Sequence, residues 1–323
     1  MKTIGVFTSG GDAPGMNACI RAAVRTALTD GLKVYAIYRG YQGMIEGDIL
    51  PMQSSDVSNI IQRGGTILKT ARSEEFRTPE GRAKAAENLR RHGIEGLVCI
   101  GGDGSFKGAS ILYEEHGIRT IGAPGTIDND LFGTDATIGY DTAVNTVVEA
   151  VDKLRDTAAS HNRLFIVEVM GRDAGFIALR SGIACGAEAI LVPETPTYID
   201  GLIQKLREGW NRRKHSSIVI VAEGDESGGA YKVADAVKKN FDKYDVRVTI
   251  LGHIQRGGSP SAYDRVLASE MGYAAVKGLI NNKYNVMVGR QGKDIVYVPF
   301  NKAIKHNKDL NRYLLEIADT LSK

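Results

Sequence analysis

Residues 97–105 read LVCIGGDGS, an apolar run that passes directly into a loop of glycine, aspartate and serine. An apolar run this continuous is typical of a β-strand that is covered on both faces, as in a parallel sheet. Two further stretches repeat the pattern. TIGVFT, from Thr3, leads into SGGDAPGMN at residues 9–17, and the strand that begins at Thr120 leads into APGTIDND at residues 123–130.

The rest of the chain alternates strands of this kind with amphipathic stretches. Further predicted strands are VYAIY from Val34, LFIVEV from Leu164, AILVP from Ala189, IVIVAE from Ile218 and VRVTIL from Val246. One predicted helix carries Tyr140, Val144, Val147, Val148, Val151 and Leu154 on one stripe, and another carries Leu310, Leu314, Ile317, Ala318 and Leu321. The alternation predicts an α/β fold with largely parallel sheets, and 323 residues are enough for about two domains.

Composition excludes several classes of protein. Lys plus Arg number 41 and Asp plus Glu 38, so a net charge of +3 argues against nucleic acid as the default partner. A hydrophobic content of 43% excludes global disorder. The three cysteines, Cys19, Cys99 and Cys185, have no short spacing, which excludes a disulfide scaffold and a cysteine zinc site. No apolar run approaches 18 residues, so we expect a cytoplasmic protein without a membrane partner.

The loops after the three quoted strands predict a phosphate and magnesium site. Glycines such as Gly10, Gly11, Gly102 and Gly104 let backbone N–H groups approach a phosphate, and Ser105 stands where a helix begins. The carboxylates of Asp103, Asp128 and Asp130 repel phosphate unless a magnesium ion lies between them, and a spare carboxylate can accept a proton. Glycine and aspartate are common in ordinary turns, which is enough to explain any one such loop. Three such loops after three strands favour a shared phosphate and magnesium site.

Two common nucleotide motifs are missing. The sequence contains no G-x-x-x-x-G-K-[ST] phosphate loop and no G-x-G-x-x-G fingerprint after its first strand, which disfavours a dinucleotide-binding dehydrogenase.

Basic residues embedded in glycine-rich motifs or at strand ends are candidates for anion binding. They are Arg72 in TARSEEFR, Arg163 in SHNR, Arg172 in MGRDAG, Arg247 in VRVTILG, and His253 and Arg256 in HIQRGG. Glu223 either binds sugar hydroxyls or serves as a turn or cap carboxylate. The RRKH cluster at 212–215 is either a solvated helix end or a second anion site.

GGDAPGMN, TARSEEFR, GGDGS, PGTIDND, MGRDAG and HIQRGGSP, in this order from Gly10 to Pro260, resemble the motifs of the bacterial ATP-dependent 6-phosphofructokinases. The resemblance implies two similar three-layer α/β/α domains with largely parallel sheets. Residues 1–139 and 255–304 would bind ATP and Mg²⁺, and residues 140–254 and 305–323 would bind fructose 6-phosphate. It also implies a homotetramer whose sugar-phosphate sites are shared across an interface, and the transfer of the γ-phosphate of MgATP to the sugar 1-hydroxyl.

The resemblance assigns roles to individual residues. Asp128 would be the general base, with Arg72, Arg172, Thr126 and Gly11 also in the catalytic set, and Asp103 and Asp130 would serve the metal. ATP would be held by Gly11, Arg72, Ser73, Gly102, Asp103, Gly104 and Ser105. Fructose 6-phosphate would be held by Thr126, Ile127, Asp128, Met170, Gly171, Arg172, Glu223, His253, Ile254, Gln255 and Arg256, with Arg163 and Arg247 supplied by a neighbouring subunit.

The resemblance also implies an effector site for ADP or phosphoenolpyruvate. Its matching residues are Arg21, Arg25, Arg155, Glu188, Arg212 and Lys214. The sequence departs from the pattern at Ser54, where an arginine is usual, at Asn59, where an aspartate is common, and at Ser216. Because a lost arginine removes a charge-assisted phosphate contact, we expect a weaker or differently tuned effector site.

Several alternatives remain at this point. Pyrophosphate-using relatives typically carry Asp at position 104 and Lys at position 125, whereas Gly104 and Gly125 favour ATP. NAD kinases and lipid kinases share a GGDG loop but do not need the other motifs. A catalytically silent sugar-phosphate sensor is expected to lack Asp103 or Asp128. Asp173, beside Arg172, either reduces the charge of that arginine or points away.

Overall fold

The computed structural model describes residues 1–159, 162–213, 216–305 and 308–322, and it confirms the predicted α/β class. The strands are β1 (Thr3–Thr8), β2 (Lys33–Ile37), β3 (Ile49–Met52), β4 (Gly96–Gly101), β5 (Arg119–Pro124), β6 (Arg163–Val169), β7 (Ala189–Leu191), β8 (Ser217–Ala222), β9 (Asp245–Ile250), β10 (Val286–Gln291) and β11 (Asp294–Pro299). The helices are α1 (Met16–Thr29), α2 (Gly40–Glu46), α3 (Pro79–Arg91), α4 (Asp103–His116), α5 (Tyr140–Ala159), α6 (Phe176–Ala184), α7 (Ile199–Asn211), α8 (Ala230–Asn240), α9 (Ala262–Ile280), α10 (Phe300–Lys305) and α11 (Arg312–Leu321).

The chain divides into two compact units. Unit 1 comprises Met1–Thr126, Leu131–Thr142 and Arg256–Lys308, and unit 2 comprises Ile127–Asp130, Ala143–Gln255 and Asp309–Lys323. The short excursion of residues 127–130 into unit 2 was not expected from the sequence. The assignment of the two units to ATP and to sugar phosphate stays a prediction.

Unit 1 is built on a sheet with the strand order β11-β10-β5-β4-β1-β2-β3. Its inner strands are parallel, and β3 and β11 close the two edges as antiparallel strands. Every residue of β1 and β4 is buried, which explains why their sequences are continuously apolar. The core on one face includes Phe7, Leu97 and Phe106, and the Phe106 ring stacks on Phe300 with their centroids 5.1 Å apart.

Unit 2 is built on a smaller parallel sheet with the order β7-β8-β6-β9. Its inner strand β8 is wholly buried, and β9 is a partly exposed edge strand. The core between this sheet and its helices includes Leu164, Leu206 and Val219.

The two predicted amphipathic stretches are both helical, but they are covered to different extents. Val147 and Val151 of α5 are fully buried. In the C-terminal stretch, Leu310 lies before the first residue of α11. Leu321, at the other end of the predicted apolar stripe, is 71% exposed. The apolar side of α11 is therefore only partly covered. No helix in the described part of the chain combines the length and apolarity needed to cross a membrane.

Candidate active site

The three predicted glycine and aspartate loops lie side by side at the carboxyl end of the unit 1 sheet. β4 pairs with β1 on one side and with β5 on the other. Beyond the strands, the Ser9 N–H donates to the Ile100 carbonyl at 3.0 Å, and the Gly125 N–H donates to the Gly101 carbonyl at 2.9 Å. The sheet order therefore brings the loops together as the sequence predicted.

The GGDGS loop forms the beginning of α4. Gly102 is the N-cap of this helix, Asp103 is its first residue, and Ser105 is buried within its first turn. If a Cβ atom were added at Gly104, no atom from a neighbouring part of the described chain would lie within 4 Å of it. The first backbone N–H groups of α4 thus border open space at the positive end of the helix dipole, where a phosphate is favoured.

The predicted ATP residues of TARSEEFR lie on a segment that is tied to the same loop. Arg72 is exposed. The Ser73 hydroxyl donates to Gln42 Oε1 at 2.7 Å and accepts from the Phe76 N–H at 3.1 Å. The Phe76 ring stacks on Tyr41, with centroids 4.0 Å apart.

The phenol of Tyr41 completes this connection, because it donates to the Ser105 carbonyl at 2.5 Å. Tyr41 and Gln42 were not predicted as site residues. Their partners are distant in the sequence, and no local motif marks the pairing.

Gly11 is closely approached by the guanidinium group of Arg256. A Cβ at position 11 would lie 2.0 Å from Arg256 Nη1, and the same guanidinium donates to the Asp12 carbonyl at 3.4 Å. Arg256, predicted to hold the sugar 6-phosphate, therefore lies against the first glycine loop within unit 1. Thr126, at the end of PGT, accepts from the Thr137 hydroxyl through its carbonyl.

The central contact of unit 2 joins a buried carboxylate to an exposed arginine. Arg172 Nε lies 3.3 Å from Asp128 Oδ2, and the side chains are 58% and 1% exposed. A buried carboxylate stays charged only with a cation or hydrogen bonds beside it, and Arg172 supplies the cation. Ile127 is fully buried, and Asp130 is partly exposed.

Glu223 holds the backbone of the MGRDAG loop. Its Oε1 accepts the N–H of Gly171 at 3.2 Å and of Arg172 at 2.8 Å. Arg172 has a φ of 53°, a conformation that is unfavourable for a residue with a side chain. The sequence left two roles for Glu223. The structure shows it as a carboxylate that stabilises a turn, and its contact with sugar hydroxyls stays a prediction.

Residues 252–256 form a short turn that packs on the same loop. Gln255 is fully buried and accepts the Met170 N–H at 3.3 Å through Oε1. His253 and Ile254 are exposed. Gln255 therefore acts within unit 2 as a link between HIQRGG and MGRDAG.

Arg163 and Arg247 lie away from these residues, near the amino ends of β6 and β9. Both donate to the same oxygen, Asp245 Oδ2, at 3.3 Å for Arg163 Nε and 2.9 Å for Arg247 Nη2. The Arg247 guanidinium lowers the pKa of Asp245, and Arg163 acts in the same direction. Asp245 was missed in the sequence, because its role appears only when the two strands are paired.

The predicted effector residues are distributed over both units. Arg21 and Arg25 lie on α1 in unit 1. In unit 2, an Arg155 Nη2 group donates to the Cys185 carbonyl, Glu188 is 2% exposed, and Arg212 is exposed at the end of α7. Lys214 lies outside the described residues.

The two predicted metal carboxylates belong to different units, Asp103 to unit 1 and Asp130 to unit 2. Within the described residues, no group of three or more His, Cys, Asp or Glu side chains could hold a metal by itself. Mg²⁺ commonly takes only one or two protein carboxylates and completes its shell with phosphate and water oxygens, so each aspartate has the chemistry of a magnesium ligand, and the metal site stays a prediction.

Comparisons with known proteins agree with one another. A family model described as Phosphofructokinase matches residues 3–279. The chain is 58% identical over 322 residues to ATP-dependent 6-phosphofructokinase 2 of Bacteroides thetaiotaomicron, covering 100% of this chain and 99% of that protein. It is also 58% identical over 322 residues to ATP-dependent 6-phosphofructokinase 1 of Thermus thermophilus, covering 100% of both.

A solved structure shares the fold. Phosphofructokinase from Saccharomyces cerevisiae superposes with a TM-score of 0.89 at 38% identity, over 100% of this chain and 47% of that chain. The chain therefore spans about half the length of the yeast chain.

Proposed function

The chain belongs to the phosphofructokinase family, and we propose that it transfers the γ-phosphoryl group of ATP to the 1-hydroxyl of fructose 6-phosphate. The products are fructose 1,6-bisphosphate and ADP. The chain is thus a kinase of glycolysis, and we place its reaction in the cytoplasm.

The contact between Asp128 and Arg172 carries the proposal. In-line transfer needs a group that takes the proton of the attacking hydroxyl and a cation close to the developing charge. Asp128 is buried, with Arg172 Nε 3.3 Å from its Oδ2. We assign Asp128 as the general base for the 1-hydroxyl, and Arg172 as a substrate ligand that keeps this carboxylate charged.

The donor side is assigned to the loops of unit 1. Gly11, Arg72, Ser73 and the run from Gly102 to Ser105 hold ATP, and Asp103 with Asp130 holds Mg²⁺. When bound, Mg²⁺ neutralises charge on the phosphate oxygens. Arg72, exposed on a segment that Ser73 fixes, adds a positive charge for the transferring phosphoryl group.

Two glycines support ATP as the donor. The open space at Gly104 leaves room for the remainder of a nucleotide. At Gly125, a Cβ would already lie 3.0 Å from Ile100 Cγ2 and from Met16 Cε, so a lysine would need its neighbours to move.

The acceptor side is assigned to Thr126, Ile127, Asp128, Met170, Gly171, Arg172, Glu223, His253, Ile254, Gln255 and Arg256. Arg163 and Arg247 complete it from a neighbouring copy in a homotetramer. Their position supports this assignment, because Arg163 opens β6 and Arg247 is the third residue of β9, whereas ligands of parallel sheets bind at the carboxyl ends. We further propose that ADP or phosphoenolpyruvate acts at the effector residues, with altered strength because of Ser54 and Asn59.

The decisive experiment is steady-state turnover of fructose 6-phosphate with MgATP and, separately, with MgPPi, each with and without ADP. Turnover with MgATP alone is the expected result, and the ADP arm reports on the effector site. Turnover only with MgPPi would overturn the donor assignment and leave the base in place. A folded protein without turnover in either arm would favour the sugar-phosphate sensor.

A further inference from the structure

The loop that carries Arg172 is held from two sides by carboxylates. Residues 171–174 form a tight turn in which the Ala174 N–H donates to the Gly171 carbonyl at 3.0 Å. On one side, Glu223 accepts the N–H groups of Gly171 and Arg172. On the other side, Glu194 Oε1 accepts the Gly175 N–H at 2.8 Å.

Glu194 reaches the turn from the segment that follows β7, while Glu223 follows β8, the neighbouring strand. A Cβ at Gly175 would lie 2.5 Å from Val192 Cβ and 2.7 Å from Glu194 Oε2. The backbone of Gly175 therefore packs closely against the segment that contains Glu194, and the Gly175 N–H donates to a carboxylate of that segment.

This contact differs from an ordinary helix cap. Gly175 is the N-cap of α6, so its own N–H lies outside the first turn of the helix and belongs to the peptide unit shared with Ala174. α6 is independently held by buried side chains, among them Phe176, Ile177 and Leu179. The Glu194 contact therefore constrains the turn more directly than it constrains the helix.

The turn needs such constraints because Arg172 is in a left-handed conformation, with φ at 53°. For a residue with a side chain, such a conformation persists only when the surrounding contacts enforce it. If the Gly175 end were released, the backbone of Arg172 could relax, and its Nε would leave Asp128.

We propose that Glu194 is a positioning residue for the phosphoryl acceptor site: it fixes the far end of the MGRDAG turn and thereby the guanidinium of Arg172 beside Asp128. This inference rests on the proposed function, because Arg172 and Asp128 are placed there in the acceptor site.

The test is steady-state kinetics of the full-length enzyme with Glu194→Ala. We expect kcat/KM for fructose 6-phosphate to fall by about 10- to 100-fold, which corresponds to the loss of a hydrogen bond to a charged group. The KM for MgATP should stay within about twofold, because Gly175 and Glu194 both belong to unit 2. Glu194→Gln, which keeps an oxygen acceptor, should recover most of the loss.

Glu226→Ala is a matched control. Glu226 is also exposed and accepts a single backbone N–H through Oε1, that of Thr197 at 2.9 Å, but its contact is outside the turn. Its kcat/KM for fructose 6-phosphate should remain close to wild type. An effect as large as that of Glu194→Ala would mean that any such contact in unit 2 matters equally, and would overturn the proposal.

A double-mutant cycle separates positioning from general stabilisation. If Glu194 acts through Arg172, Glu194→Ala should cost little further activity in an Arg172→Ala background. Additive losses would overturn the proposal, as would an unchanged kcat/KM in Glu194→Ala.

Should Glu194→Ala not fold, Glu194→Asp withdraws the carboxylate by one methylene group and should still lower kcat/KM. Wild-type turnover is measured in the same assay: its absence overturns the proposed function as well, whereas active wild type with an unaffected variant overturns this inference alone.

Discussion

Arg163 and Arg172 lie at opposite ends of the same parallel strand, Arg163 as its first residue and Arg172 in the loop that follows it. Arg163 is the first residue of β6, the strand ends at Val169, and Arg172 follows three residues later. A strand of seven residues spans about 20 Å. Two arginines so placed are too far apart to hold one small sugar phosphate, and Asp245 already gathers Arg163 together with Arg247 at the amino end. If both Arg163 and Arg172 serve fructose 6-phosphate, they must do so for different copies.

Subunit complementation should reveal this sharing. Arg163→Ser and Arg172→Ser homo-oligomers should each have a strongly raised KM for fructose 6-phosphate. When the two variants are dissociated, mixed equally and reassociated, about one quarter of the sites should combine an intact Arg172 with an intact Arg163 from the partner. Turnover should therefore recover to about one quarter of wild type, at the wild-type KM. A mixture no more active than its components would place both arginines within one subunit or outside the site.

Asp128→Asn tests the proposed base. The amide cannot take the proton of the 1-hydroxyl, so kcat should fall by at least about 100-fold. The KM for MgATP should change little. Asp173→Asn is the control, since Asp173 is an exposed carboxylate next to Arg172, and it should retain most of the activity. An unchanged kcat in Asp128→Asn would remove this residue from the chemistry.

The sequence predicts those structural features that depend on residues close together in the chain. The eight predicted strands are all present, and the wholly buried ones, β1, β4 and β8, are continuously apolar in sequence. β3, β10 and β11 were not predicted, because β3 is short with Pro51 inside it, and β10 and β11 are only partly buried. The glycine loops were placed correctly because sheet order alone brings them together.

Hydrogen bonds between residues that are distant in sequence could not be predicted in the same way. Tyr41 reaches Ser105 across 64 positions, and Glu223 reaches Arg172 across 51. Neither spacing is a local pattern, so only the folded chain shows that these residues hold the site.

Gly104→Asp tests the donor assignment. Because the position borders open space, the variant should fold with the thermal stability of wild type. Its carboxylate should repel the phosphates of ATP and raise the KM for MgATP by about tenfold or more. Gly104→Ala, without the charge, should have a much smaller effect. An aspartate variant with the wild-type KM for MgATP would show that Gly104 does not face the nucleotide.

Gly224→Ala tests whether the close packing of Gly224 against the MGRDAG turn is needed for activity. A Cβ at position 224 would lie 2.0 Å from the Arg172 carbonyl oxygen, so the turn must shift. We expect kcat/KM for fructose 6-phosphate to fall by about tenfold or more, with a smaller change in the KM for MgATP. Gly201→Ala on α7 is the control, because its nearest neighbour would be Tyr198 Cβ at 3.7 Å. Equal kinetics for the two variants would mean that the turn tolerates displacement.

Asp264 should make the stability of the protein depend on pH. Its fully buried carboxylate accepts the Gly139 N–H and both the N–H and hydroxyl of Thr142, joining the beginnings of α5 and α9. Burial raises the pKa of Asp264 to about 6, against 3.8 for an unperturbed aspartate, although these hydrogen bonds oppose the shift. The folded state therefore binds the proton more tightly than the unfolded chain, so the contribution of Asp264 is fully present below pH 4 and is lost as the pH rises through 6.

The measurement is urea unfolding of wild type and Asp264→Asn from pH 4 to pH 7. Asparagine does not titrate, so the difference in unfolding free energy between the two proteins isolates this carboxyl group. Relative to the variant, wild type should lose about 2 kcal/mol between pH 4 and pH 7, because one unit of pKa corresponds to 1.36 kcal/mol and part of the contribution is already lost at pH 4. A difference independent of pH would mean that Asp264 stays ionised throughout, with its three hydrogen bonds outweighing the cost of burial.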